Sequence, residues 1–163
     1  MNDIAVRPAR HGELDAVAEL RWRWVLENDG TPVTTRGDFV RRFRTWAAEN
    51  AASHRCLVLV RGEVVIGMAW LAVTRRVPTP GALDRASGDV QCVYVVPEER
   101  DTGLGGRLID AVLELARELG LERVTVHSSP RAVPAYARRG FTASPRLLQA
   151  GVARPGSPAT VRT

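Results

Sequence analysis

The segment from Val93 to Arg107 constrains this chain more than any other. Val93, Tyr94, Val95 and Val96 are strand formers in a row, Pro97 stops them, and Gly103, Gly105 and Gly106 open an apolar-periodic run. That run places Leu104, Leu108, Ile109, Val112, Leu115, Ala116 and Leu119 on one helical face and stops at Gly120. A strand must therefore pass through a tight turn straight into a helix. A glycine-rich helix start points several backbone N–H groups into one small space, and no side chain blocks the approach to them. Such a helix end attracts phosphate. It is not a nucleotide P-loop, since no Gly-Lys-Ser/Thr follows, and a dinucleotide fingerprint would need a third glycine at another spacing. Taken alone, the glycines fit a tight strand-to-helix connection equally well.

The flanking chain alternates helical and strand patterns. His11 to Asn28 reads as a helix with Leu14, Val17, Leu20, Arg21, Trp24 and Val25 on one arc, which puts Trp24 in the core and leaves Trp22 partly exposed. A second helix covers about Arg36 to Asn50, with Phe39, Val40, Phe43 and Trp46 at helical spacing. Cys56 to Val60 and Val64 to Val73 form a hairpin around Arg61-Gly62-Glu63, with a bulge expected at Gly67. Thr74 to Gly88 is a long turn-rich connection, Asp89 to Val96 a strand, and Glu122 to His127 another. The last helix is expected from about Pro130 to Arg139, with Ser129 as its N-cap and Gly140 as its stop. Leu147 to Val152 is a weak final strand, and residues 154–163 form a frayed tail after a single domain spanning 1–153. The order is that of an α/β chain with helices packed on a central sheet.

Composition removes several classes. The apolar share of 45% and charged share of 25% over 163 residues are those of a globular domain, not of a disordered, collagenous or coiled-coil chain. No apolar run approaches the roughly 18 residues of a membrane span, and Met1 to Pro8 has no basic segment leading into an apolar one, so a cytoplasmic protein without membrane association is expected. Cys56 and Cys92 stand far apart with no cysteine or histidine partner at ligand spacing, so no metal site is expected. All 23 basic residues are arginine, giving a net charge of +5. That excess is modest and spread along the chain, which argues against a nucleic-acid partner despite the local clusters Arg41, Arg42, Arg44 and Arg131, Arg138, Arg139.

A second motif gives the glycine turn its meaning. Ser129, Ala132, Tyr136, Gly140 and Phe141 follow at fixed spacing after Arg100, Gly103 and Gly105. Together they resemble the GNAT superfamily of N-acetyltransferases, in which Arg/Gln-x-x-Gly-x-Gly/Ala opens the helix that cradles the pyrophosphate of acetyl-CoA. In that family Asn-x-x-Ala-x-x-x-Tyr-x-x-x-Gly-Phe comes further along. The resemblance covers about residues 4–150 and implies a mixed, mostly antiparallel central sheet with two splayed strands and flanking helices.

Carried over position by position, the resemblance implies that Val93, Tyr94 and Val95 offer a strand edge to the pantetheine arm. Arg100, Asp101, Thr102, Gly103, Leu104, Gly105 and Gly106 would then form the pyrophosphate turn. Amides pair with an open strand edge as an added strand would, and a backbone N–H near Val95 would polarise the thioester carbonyl. Tyr136 matches the family's tyrosine that protonates the leaving thiolate; with a thiol at about 8.5 and a phenol at about 10, donation or a strong hydrogen bond both suit it. A plain packing role for this ring is the alternative. Ser129 stands where the family has asparagine, so it is either a cofactor contact or only a cap. Asp89 is the candidate base, with a solvated strand-end carboxylate as its other reading; Glu27 and Asp29, at the end of the first helix, are alternative bases, and His127 is a further candidate relay. Trp22, Glu27, Asp29 and the Thr74 to Gly88 connection are expected on the acceptor side, where Trp22 or Trp46 would form an apolar wall.

The expected activity is direct transfer of acetyl from acetyl-CoA to a primary amine of a small molecule or peptide. Cys92 has no basic neighbour to make it a nucleophile. The alternative is a non-catalytic acyl-CoA-binding regulator. Relatives often dimerise through their last strands, and the oligomeric state stays open, as does the identity of the amine.

Overall fold

The computed structural model describes residues 3–156. Its elements are β1 (Ile4–Pro8), α1 (Leu14–Glu27), α2 (Arg36–Glu49), β2 (His54–Arg61), β3 (Val64–Arg76), β4 (Arg85–Val95), α3 (Leu104–Glu118), β5 (Val124–Val126) and α4 (Val133–Ala137). The sheet order is β1-β2-β3-β4-β5. The first four strands are antiparallel, and β5 joins β4 in parallel. This is the mixed, mostly antiparallel sheet with flanking helices that the sequence implies.

Alternation along β3 assigns the helices to faces. Trp70 meets Phe43 and Trp46 of α2 at ring-centroid distances of 5.7 and 5.5 Å, so α2, with α1 beside it, covers that face. Leu71 points the other way, to the side where a Cβ on Gly88 would meet both Leu71 and Leu121, which follows α3. Leu59, Met68, Leu71, Leu108, Val17, Val58 and Val112 are the largest side chains fully out of solvent, one set from each layer. At about 25 cal/mol per Å² of apolar surface, this shared core is the main force holding helices to sheet. Trp24 packs against the core as expected, with Arg21 over its ring.

Two register shifts shape the sheet. Opposite Leu59 and Val60, β3 carries an extra residue beside Gly67, the irregularity expected there. A Cβ on Gly67 would come within 2.8 Å of the Tyr94 carbonyl, so glycine here lets β4 approach. The second shift lies between Met68 and Trp70, which pair with Tyr94 and Gln91, and it puts Cys92 at φ 56°.

Several sequence expectations need correction. The first element of the described residues is a strand, not a helix: Ile4 to Pro8 lines the sheet edge along β2, and His11 to Glu13 is a short 3-10 turn ahead of α1. Thr74 to Gly88 is mostly hairpin, because β3 runs to Arg76 and β4 starts at Arg85, leaving 77–84 as the turn; Asp89 is therefore inside β4 and not at its start. Helix α4 is shorter than expected. Its N-cap is Ala132 and its first-turn proline is Pro134, while Ser129 contributes a backbone carbonyl to Ala132 and no side-chain cap. Leu147 to Val152 forms no strand, and Leu147, Leu148 and Val152 are exposed. Of the expected tail, 157–163 lies outside the described residues. Among the described residues, no helix is long and apolar enough to cross a membrane.

Candidate active site

The parallel pairing of β4 with β5 covers only Gly88–Val124, Asp89–Thr125 and Val90–Val126. Beyond Val90 the bulge at Cys92 turns β4 and the partner strand ends, so a gap opens along β4 from about residue 92 to Val95. Val96 N–H donates to Ile66 O at 2.9 Å, on the β3 side. Antiparallel alternation then turns the N–H and C=O of Val95 toward the gap. Arg100 Nε donates to that carbonyl at 2.8 Å.

The chain leaves β4 through a 3-10 turn at Pro97 to Glu99 and reaches α3 through two left-handed residues, Asp101 at φ 62° and Gly103 at φ 81°. Thr102 Oγ1 closes the turn on Glu99 O at 2.8 Å. The three glycines serve three purposes. Gly103 supplies the positive φ that α3 needs at its N-cap. Gly105 has nothing within 4 Å of where a Cβ would stand, which leaves the α3 N-terminus open to a ligand. Gly106 is small because Arg139 lies across it, Nε donating to Gly106 O at 2.9 Å. Leu104, between them, is a core residue. Arg107, on the next turn of α3, donates Nη2 to Ile4 O at 3.1 Å.

That Arg139 contact fastens α4 to α3 and brings Tyr136 to the gap. Tyr136 is buried, edge-on to Phe141 at 5.2 Å, and its phenol is pushed up to about 12, first by burial and then by the nearby Cys92 thiol. Burial also raises the Cys92 thiol, against the pull of Arg21. Ser129 is exposed, and its carbonyl accepts from Ser128 Oγ at 2.8 Å.

The face carrying Trp70 also carries Tyr94, Gln91 and Asp89, by the register with Met68, Trp70 and Ala72. Asp89 Oδ1 accepts from Thr125 Oγ1 at 3.1 Å and Oδ2 from Gln91 Nε2 at 3.1 Å. The pair sits at the closed end of the gap. Glu27, at the last turn of α1, accepts from Tyr94 Oη and, at 2.9 Å, from Arg100 Nη2. Burial and then the Glu27 carboxylate drive the Tyr94 phenol well above its ordinary range. Trp22 packs on Phe39 of α2 at 5.9 Å, and Trp46 on Phe43, His54 and Trp70, so both belong to an aromatic ladder between α1, α2 and β3. His127 is exposed just past β5. The 77–84 turn lies at the far end of β4, roughly 30 Å of strand from Val95. Sequence reasoning did not find Gln91, Thr125 or Arg23 as neighbours of these groups. Only Gln91, at i+2 from Asp89 on one strand face, carried a local signal.

The sequence and the fold both have known counterparts. The family model for acetyltransferases of the GNAT type matches residues 14–141. A glucosamine 6-phosphate N-acetyltransferase from Trypanosoma brucei brucei is 33% identical over 85 residues, which is 52% of this chain and 56% of that protein. The chain thus matches little more than half the length of that relative. A solved structure from Clostridium acetobutylicum, described as a predicted acetyltransferase with acetyl-CoA, superposes with a TM-score of 0.73 at 19% identity, covering 91% of this chain and 96% of that one. An acetyltransferase from Trypanosoma brucei superposes with a TM-score of 0.70 at 25% identity, covering 92% and 100%. With the family model spanning most of the chain, and the strand gap, glycine turn and buried tyrosine assembled at one place, this chain belongs to the GNAT family of acetyltransferases.

Proposed function

We propose that the chain is an acetyl-CoA-dependent N-acetyltransferase that acts on a primary amine of a small molecule or peptide. The observation that carries this reading is the gap beyond Val90, which has on one side a β4 edge without a partner strand, the open α3 N-terminus at Gly105 at its end and the Tyr136 ring buried beside it. The residues suit the cofactor: the backbone N–H groups from Asp101 to Gly106 would hold the diphosphate, and Val93 to Val95 would pair with the pantetheine amides. When bound, acetyl-CoA supplies an acetyl group activated as a thioester.

The chain's own groups account for the rest. The Val95 N–H, turned into the gap, donates to the thioester oxygen as negative charge grows there. Tyr136 keeps its proton at Oη throughout the neutral range and donates it, or a hydrogen bond, to the departing sulfur. Asp89, held by Thr125 and Gln91, accepts the proton that the amine releases. Because burial keeps Cys92 a thiol, the transfer is direct and needs no acyl-cysteine. A relative that acetylates the amine of an amino-sugar phosphate supports nitrogen as the acceptor atom.

The test is CoA-thiol release from acetyl-CoA across a panel of primary amines, glucosamine 6-phosphate, polyamines and peptide N-termini included, alongside calorimetric titration with CoA. Binding with amine-dependent release is the expected result. Binding with no release for any amine would favour a regulatory acyl-CoA-binding protein, and absence of binding would overturn both.

A further inference from the structure

Three consecutive residues of the turn after β4 are each ion-paired to a different point of the scaffold. Glu98 pairs with Arg23 of α1; Glu99 meets Arg61 of β2 through Nη2 at 2.6 Å and Nε at 3.0 Å; Arg100 meets Glu27 of α1 at 2.9 Å. The three carboxylates and three guanidiniums balance, and α1 and β2 grip the turn from two sides.

Glu27 is the hub of this arrangement. One oxygen accepts from Tyr94 Oη, with Arg23 Nε 3.6 Å away, and the other accepts from Arg100 Nη2. Arg100 in turn donates Nε to Val95 O and lies over the Tyr94 ring at 5.2 Å. Both Glu27 oxygens are thus directed at side chains of β4 and of the turn, and the Arg100 guanidinium is occupied in holding the turn.

We propose that Glu27 is a positioning residue for the cofactor turn and not a ligand of the acceptor amine. By holding Arg100, it sets the path of the chain from Val95 to Gly103 before the cofactor arrives. The ordering of that turn is then settled during folding and not at binding, which is how a preorganised site gains affinity. This inference rests on the acetyl-CoA reading above.

The experiment is titration of CoA, without acceptor, into the wild type, Glu27→Gln, Arg100→Gln and the double variant, with a thermal melt of each and KM values for both substrates. Each single substitution is expected to weaken CoA binding about tenfold, and the double variant no more than either, because the two side chains act in series. The acceptor KM should stay within about twofold of the wild type. Unchanged CoA binding in Glu27→Gln with a raised acceptor KM would overturn the proposal, as would additive losses in the double variant. If Glu27→Gln melts below the assay temperature, Arg100→Gln decides: CoA binding equal to wild type overturns the proposal. A wild type that binds no CoA rejects the cofactor reading itself and this proposal with it, a result distinct from all the others.

Discussion

Arg139 lies across the α-carbon of Gly106 and hydrogen-bonds its carbonyl, so the missing side chain of the third glycine makes room for helix packing. A methyl group at 106 would occupy the space of the guanidinium. Gly106→Ala should cost about 1–2 kcal/mol as Arg139 is displaced from Gly106 O and Asp110. With Arg139→Ala already in place, the same substitution should stabilise by about 0.5–1 kcal/mol, the ordinary helix preference for alanine. Urea unfolding of the four proteins reads the change of sign.

Gly105 should behave in the opposite way. Its Cβ would meet nothing of the protein, so Gly105→Ala should raise stability by about 0.5–1 kcal/mol. The same methyl group would stand at the open end of α3 and weaken CoA binding. A variant that melts higher yet binds CoA as tightly as the wild type would remove the diphosphate from this helix end.

Tyr136→Phe should lower kcat by about 10- to 100-fold with little change in the KM for acetyl-CoA. Because burial pushes the phenol up to about 12, the donor stays protonated at pH 10, and the wild-type alkaline limb should not fall at the ordinary tyrosine position. The linkage has the same sign. Keeping Tyr136 neutral in the fold contributes stability that is fully present below pH 10 and lost as pH rises through about 12. A pH–rate profile with stopped-flow thiol detection checks the first point, and alkaline melts check the second.

Acid should act mainly where β1 meets the first turn. Glu13 takes both forks of Arg7 at 2.6 and 2.9 Å and the Arg10 N–H at 2.7 Å, and the Arg7 hydrogen bonds first of all hold its carboxyl at about 2. A lowered carboxyl contributes stability above its ordinary 4.5, and the contribution is lost as pH falls through about 2. Glu13→Gln should therefore flatten the stability curve between pH 4.5 and 2. Denaturant melts across that window give the slope directly.

The parts of the fold that were legible in the sequence are those where one periodicity ran long enough to speak for itself. Helix α3, with apolar residues from Leu104 to Leu119, and the β2–β3 hairpin around Gly62 are of this kind. The turn and Tyr136 were legible because two spaced motifs agreed. Strand β1 was not: its five residues include Arg7 and Pro8, and only pairing with β2 makes them a strand. The 74–88 segment misled because Pro78, Pro80 and Gly81 describe only its tip, while Arg75, Arg76 and Arg85 are held by cross-strand pairing. The grip of Arg23, Arg61 and Glu27 on residues 98–100 joins positions far apart in the chain, and no local pattern encodes such a contact.

The short parallel join between β4 and β5 has a mechanical consequence. Three residue pairs are a narrow seam for a sheet whose other joints are at least five pairs long. The molecule is in effect a four-stranded plate and a smaller flap of β5 and α4, riveted together by α3. The amides of Val124 to Val126 should therefore exchange with deuterium ahead of those in β3, and the seam is where the molecule comes apart first when it breathes.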